Sequence, residues 1–230
     1  MDVLLAALAG LPAGWIGAHA IEAWTDRAPI RVSARPSRRL VAGTTITVVV
    51  LAALVSWKRD EGWATIGLLA LAWGLVVGTV IDLRRRILPD RLTFKLPVLV
   101  GAPILVEALR SSSWGDLRRA ALAAVLLPLG MFLFSEAFRL LRGQTGMGLG
   151  DVKLAVSLGL GIGWLGGWEL LVFGYAAVIA NVVVAVGLVA TRRAQLASRI
   201  PFGPYLAAGA IVVMVAGDPI VAWITDRVSV

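Results

Sequence analysis

An aspartate set between glycines and followed by a lysine, Gly148-Leu149-Gly150-Asp151-Val152-Lys153, stands where an apolar stretch begins. A second aspartate, Asp82, opens the run Asp82-Leu83-Arg84-Arg85-Arg86-Ile87-Leu88-Pro89-Asp90. In a chain of this apolar character a carboxylate beside a hydrophobic segment is costly, and it marks a functional position by default. Two carboxylates sharing one desolvated site cannot both ionise easily, so one keeps a proton while the other is charged. The ionised member can take a proton from a water held between them, and the protonated member can hydrogen-bond to a scissile carbonyl oxygen. That is acid–base peptide hydrolysis. Gly148 and Gly150 suit it because, lacking a Cβ, they let a substrate backbone come close. Plainer readings stay open at the level of the residues: Asp151 as a helix N-cap, and Asp82 as one half of an interfacial salt bridge with its arginine neighbours. Phosphate binding is a poor fit, because Gly148-Leu149-Gly150 lacks the rest of a P-loop or dinucleotide fingerprint.

The pair can work only if the surrounding elements bring it together. Of the 230 residues, 59% are hydrophobic and 16% charged, in long apolar blocks, which is too little polar surface for a soluble domain. The blocks are continuous and of helix-spanning length, unlike the short alternating strands of a β-barrel. The expected fold is an all-α, polytopic transmembrane helix bundle of about eight crossings. The net charge of +8 sits in short clusters between apolar blocks, as the positive-inside rule requires, so membrane lipid and not nucleic acid is the expected surroundings. With no cysteine there is no thiolate metal site, disulfide or cysteine nucleophile. His19 and Glu22 share a helix face but lack a third ligand, so they read as a polar helix end, and no metal or other cofactor is expected. The start of the chain has no basic n-region and reads as a retained first helix.

In order, the expected helices are Val3 to Trp24, Leu40 to Trp57, Trp63 to about Asp82, Leu92 to about Leu109, Ala120 to about Leu141, a short one from Val152 broken near Gly163 to Trp168, Glu169 to Thr191, and a last one ending at Gly217-Asp218-Pro219. Residues 220 to 224 are too short to span and are expected to lie on the outer face. Residues 1–62 form a two-helix region with a basic loop carrying Arg27, Arg31, Arg35, Arg38 and Arg39; residues 63–230 form a six-helix core. Most arginines follow helices one, three, five and seven, while Trp57, Trp63, Trp114, Trp164 and Trp168 fall at the opposite ends, so the arginine-rich side is read as cytoplasmic. Arg118 and Arg119, in an outer loop from Arg110 to Arg119, run against that bias. Glu136 and Arg139 are expected to pair at i,i+3. Leu88-Pro89 makes an elbow between helices three and four. Asp82 and Asp151 then belong to the same membrane face.

Gly146-Met147-Gly148-Leu149-Gly150-Asp151-Val152-Lys153-Leu154 resembles the GxGD signature of the type IV prepilin peptidase family, membrane aspartic peptidases that remove short basic leaders from pilin-like precursors. The Asp82 to Thr93 segment is similar to that family's first aspartate segment, and Pro201-Phe202-Gly203-Pro204-Tyr205-Leu206 to its closing motif. The resemblance implies that Asp82 and Asp151 are the catalytic pair, cutting prepilin-like precursors at the cytoplasmic face of the cell membrane, just after a glycine that precedes the precursor's hydrophobic segment. It makes Lys153 and Asp90 supporting residues, with Asp90 capping or supporting the elbow and not a third catalytic acid; using Asp90 in place of Asp82 is the rival assignment. Larger members carry a cysteine-rich insertion tied to methylation, which this chain lacks, so a short form with peptidase activity alone is expected. The competing functions are a non-enzymatic transporter or assembly subunit using intramembrane acids, and a presenilin-like intramembrane peptidase.

Overall fold

The computed structural model describes residues 3–25, 36–59, 62–85, 88–143, 148–191 and 202–228. Among them are eight helices: α1 (Val3–Thr25), α2 (Arg38–Lys58), α3 (Trp63–Arg85), α4 (Asp90–Ser111), α5 (Trp114–Arg142), α6 (Leu149–Leu165), α7 (Gly167–Ala190) and α8 (Gly203–Val228). All but α6 are long and apolar enough to cross a membrane, and the protein is a multi-pass helical bundle. The expected loop arginines Arg27, Arg31, Arg35, Arg192, Arg193 and Arg199 lie outside the described residues, as do Asp60, Glu61, Arg86, Ile87, Gly146, Met147 and Pro201.

Sequential helices pair antiparallel, α1 with α2, α3 with α4, α5 with α6 and α7 with α8, and α6 also packs on α4. The centre is α3, with 67% of its apolar window buried against 11% for α5. It touches α1, α2, α4, α6 and α8. Leu68, Leu71, Leu75 and Ile81 of α3 meet Leu96 and Ile104 of α4 and Leu158 and Ile162 of α6 in one core cluster. Short α6 reaches this core because its packing face is bare: a Cβ on Gly159 would stand 2.4 Å from the Ala123 carbonyl oxygen of α5. Small residues at a helix crossing let backbones approach in this way.

Several boundaries differ from the sequence expectation, among them the start of α6, at Leu149 and not Val152. The loop expected over Arg110 to Arg119 is only Ser112-Ser113: Ser112, at φ 57°, ends α4, and α5 begins at Trp114. Arg119 is therefore helical, and it donates to the Gly163 and Trp164 carbonyls at 2.9 Å, satisfying the carboxyl end of α6. That duty explains one arginine on the wrong side of the charge bias. Helix α3 continues past Asp82 to Arg85, putting Asp82 in its last turn. Finally, α8 does not stop at Gly217-Asp218-Pro219 but runs through Pro219 to Val228, so residues 220–224 are no separate surface segment. Proline lacks the N–H that would close the turn. Arg59, from the carboxyl end of α2, braces the turn just before the proline, with Nε donating to Met214 O at 3.0 Å, Nη2 to Val213 O at 2.8 Å and Nη1 to the Asp218 carboxylate. Glu136 and Arg139 pair as expected, at 2.6 Å.

Candidate active site

The carboxyl end of α3 and the amino ends of α4, α6 and α8 meet at one end of the bundle. Helix α6 starts there because Gly148, in extended backbone, takes the N-cap position, and its carbonyl accepts from the Asp151 and Val152 N–H groups. Asp151 is consequently inside the first turn, three residues past the N-cap, and is not itself the N-cap residue. Gly150 faces the elbow: a Cβ on it would lie 2.9 Å from Leu88 Cβ. The glycine thus lets the first turn of α6 press against the turn between α3 and α4, bringing Asp151 toward Asp82.

Both side chains are buried, Asp82 at 6% exposure and Asp151 at 8%. They converge on a third element, the first residue of α8. A Cβ built on Gly203 would stand 2.9 Å from Asp82 Oδ2 and 3.2 Å from Asp151 Oδ1. The two oxygens are therefore no farther apart than the sum of those distances. Any larger residue at 203 would push into the space between the carboxylates. Asp82 Oδ2 is buried and has no hydrogen-bond partner among the described residues. The salt-bridge alternative for Asp82 is not realised with Arg84, whose guanidinium turns to Glu22 on α1 at 3.1 Å. A buried carboxylate oxygen without a donor is expensive, and such a group asks for a role.

Asp90 sits elsewhere. Pro89 is the N-cap of α4, with its carbonyl accepting from Leu92 and Thr93 N–H, and Asp90 follows it as the first residue of the helix. Its carboxylate is largely exposed and takes Lys153 Nζ at 2.5 Å. Lys153 also lies over the Phe94 ring, 5.1 Å from the centroid. These two residues therefore tie α6 to α4 at the elbow, and Asp90 does not join the Asp82–Asp151 convergence. His19 Nδ1 bonds with Trp15 O at 2.9 Å and Glu22 holds Arg84, so the polar end of α1 is spent on local contacts. No group of three metal-ligating side chains occurs among the described residues.

Gly203 is the site residue that sequence reasoning passed over. Its motif was visible, yet nothing in a Phe-Gly-Pro turn says that its glycine faces two aspartates from distant helices; the available signal was a glycine at the head of an apolar run beside a proline.

Comparison with known proteins gives the chain a family. The type IV leader peptidase family matches residues 69–190, a span that includes both aspartates and the elbow. The prepilin leader peptidase/N-methyltransferase of Aeromonas hydrophila is 35% identical over 178 residues, covering 77% of this chain and 59% of that protein. Its namesake in Pseudomonas aeruginosa is 31% identical over 76% of this chain and 58% of its own length, and that of Pseudomonas putida 30% identical over 89% and 71%. The chain thus spans under two thirds of the length of the first of these relatives. No solved structure matches it significantly. A family match over more than half of the chain, joined by a relative matched along most of both lengths, carries the conclusion: this chain belongs to the type IV leader peptidase family.

Proposed function

We propose that the protein is a membrane aspartic endopeptidase of the inner membrane that removes the short basic leader from prepilin-like precursors at the cytoplasmic face. The observation that carries this reading is the convergence of the Asp82 and Asp151 carboxylates on Gly203. In this mechanism the pair shares one proton. The ionised carboxylate takes a proton from water as the water oxygen bonds to the scissile carbonyl carbon, and the protonated partner donates to the carbonyl oxygen. Collapse of the tetrahedral intermediate breaks the C–N bond, and a carboxyl group passes its proton to the leaving amine. Asp90 and Lys153 hold the elbow against α6 and so keep the two carboxylates in register. A transporter would place its acids near the middle of the span, whereas Asp82 is in the last turn of α3 and Asp151 in the first turn of α6. With no cysteine in the chain, the activity proposed is peptidase alone. Co-expression with a pilin-like precursor tests it: Asp82→Asn and Asp151→Asn should each abolish cleavage while still inserting in the membrane, and full cleavage by either variant would remove the assignment.

A further inference from the structure

Resting on that peptidase reading, we propose that the precursor's hydrophobic segment docks as a helix in the groove between α2, α3 and α8 that opens from the carboxylate pair. The cavity there measures about 390 Å³. Its floor includes Leu75 and Thr79 of α3, and its sides include Gly43 and Thr47 of α2 and Ala208 of α8.

Two helices carry the groove directly away from the site. Leu75, Thr79 and Asp82 stand at i, i+4 and i+7, one face of α3, so the face that presents Asp82 continues as the groove floor. On α8, Gly203 faces both carboxylates, and Pro204, Ala207, Ala208 and Ile211 continue along the wall. From Asp82 to Leu75 is seven residues, roughly 10 Å of helix. Less than one turn beyond Thr79 of the floor stands Asp82 with its buried, unpartnered Oδ2. A chain whose scissile bond lies at the carboxylates, and whose hydrophobic segment follows at once, is led by this continuity into the groove.

The side chains fit a helix as occupant. Gly10 and Gly14 are consumed inside the bundle, since a Cβ on either would meet the Val49 or Thr45 backbone of α2. Gly43 is not: a Cβ there meets nothing within 4 Å. With Thr47 and Ala208 it leaves a shallow, small-residue wall of the kind that admits a second helix backbone. The cavity bordered by Ala9 and Trp73 is walled by α1 to α4 without any residue of α8, and the one at Arg118 and Arg119 is at the other end of the bundle.

Because the chain has no cysteine, one introduced thiol is unique. Thr47→Cys and Ala208→Cys, each combined with Asp151→Asn to retain uncleaved precursor, are oxidised in membranes with copper phenanthroline. The precursor carries a single cysteine about two helical turns beyond its scissile bond. Cleavage by the same cysteine variants with Asp151 intact verifies their fold. The expected result is a disulfide-linked species with Thr47→Cys and Ala208→Cys, and none with Ala9→Cys or Leu126→Cys. Absence of the species at both groove positions, with cleavage by the parent protein intact, overturns the docking site and leaves the peptidase reading standing. Failure of the parent protein to cleave overturns both.

Discussion

The two ends of the bundle handle charged groups in opposite ways. At the end away from the aspartates, charged groups are spent on helix ends. Arg59 braces α8 ahead of Pro219, Arg119 closes α6, and Glu107 of α4 accepts from the Trp63 N–H at the start of α3 at 2.6 Å. At the other end Asp82 keeps an oxygen buried and unpartnered beside Asp151 and Gly203. Since an unsatisfied buried polar group costs about 1–3 kcal/mol, the first arrangement is what stability favours, and the second is tolerable where catalysis uses the group. The contrast separates scaffold from site within one set of helices.

That contrast can be broken from either side. Apart from the aspartates themselves, the largest effect is expected at Gly203: Gly203→Val puts carbon between the carboxylates and should cut precursor cleavage by about 10²-fold or more, while the melting profile in detergent stays near that of the parent. Wild-type cleavage by this variant would mean that the carboxylates do not meet where the structure puts them. At the far end, Arg59→Met strips two buried carbonyls of their donor and should destabilise the protein by about 3 kcal/mol, read as a lower unfolding midpoint. Gly217→Leu should act in the same direction, because a Cβ there already stands 2.9 Å from Arg59 Nη2. The smallest effect belongs to the elbow tie. Lys153→Met removes an exposed ion pair worth under about 1 kcal/mol, and should lower the cleavage rate only a few-fold with little change in stability. A loss at Lys153 as deep as that at the aspartates would move it from support into the chemistry.

Most of the helices could be read from the sequence because each is an apolar run of spanning length, and the aspartates stood out because carboxylates are rare in such runs. The misreadings share a physical origin. Gly217-Asp218-Pro219 has the composition of a helix stop, but α8 runs on through it, and the donor that braces the preceding turn, Arg59, is 155 residues from Met214. Arg110 to Arg119 has the polarity of a loop, yet a two-residue turn suffices once Ser112 takes a left-handed conformation, and Arg119 gains a partner 44 residues away. Gly203 is the same case at the site: its value lies in the two side chains it faces, both from other helices. Local composition reports cost and propensity, whereas these roles are set by long-range neighbours.

The central claim is that Asp82 and Asp151 act as one catalytic unit. Its most direct test is the initial rate of precursor cleavage by the purified full-length chain, measured side by side for Asp82→Asn, Asp151→Asn and the double variant. Groups that act as a unit are strongly non-additive, so each single variant is predicted to lose as much activity as the double. Single-variant losses that multiply to give the double, or wild-type cleavage by either one, would contradict the account.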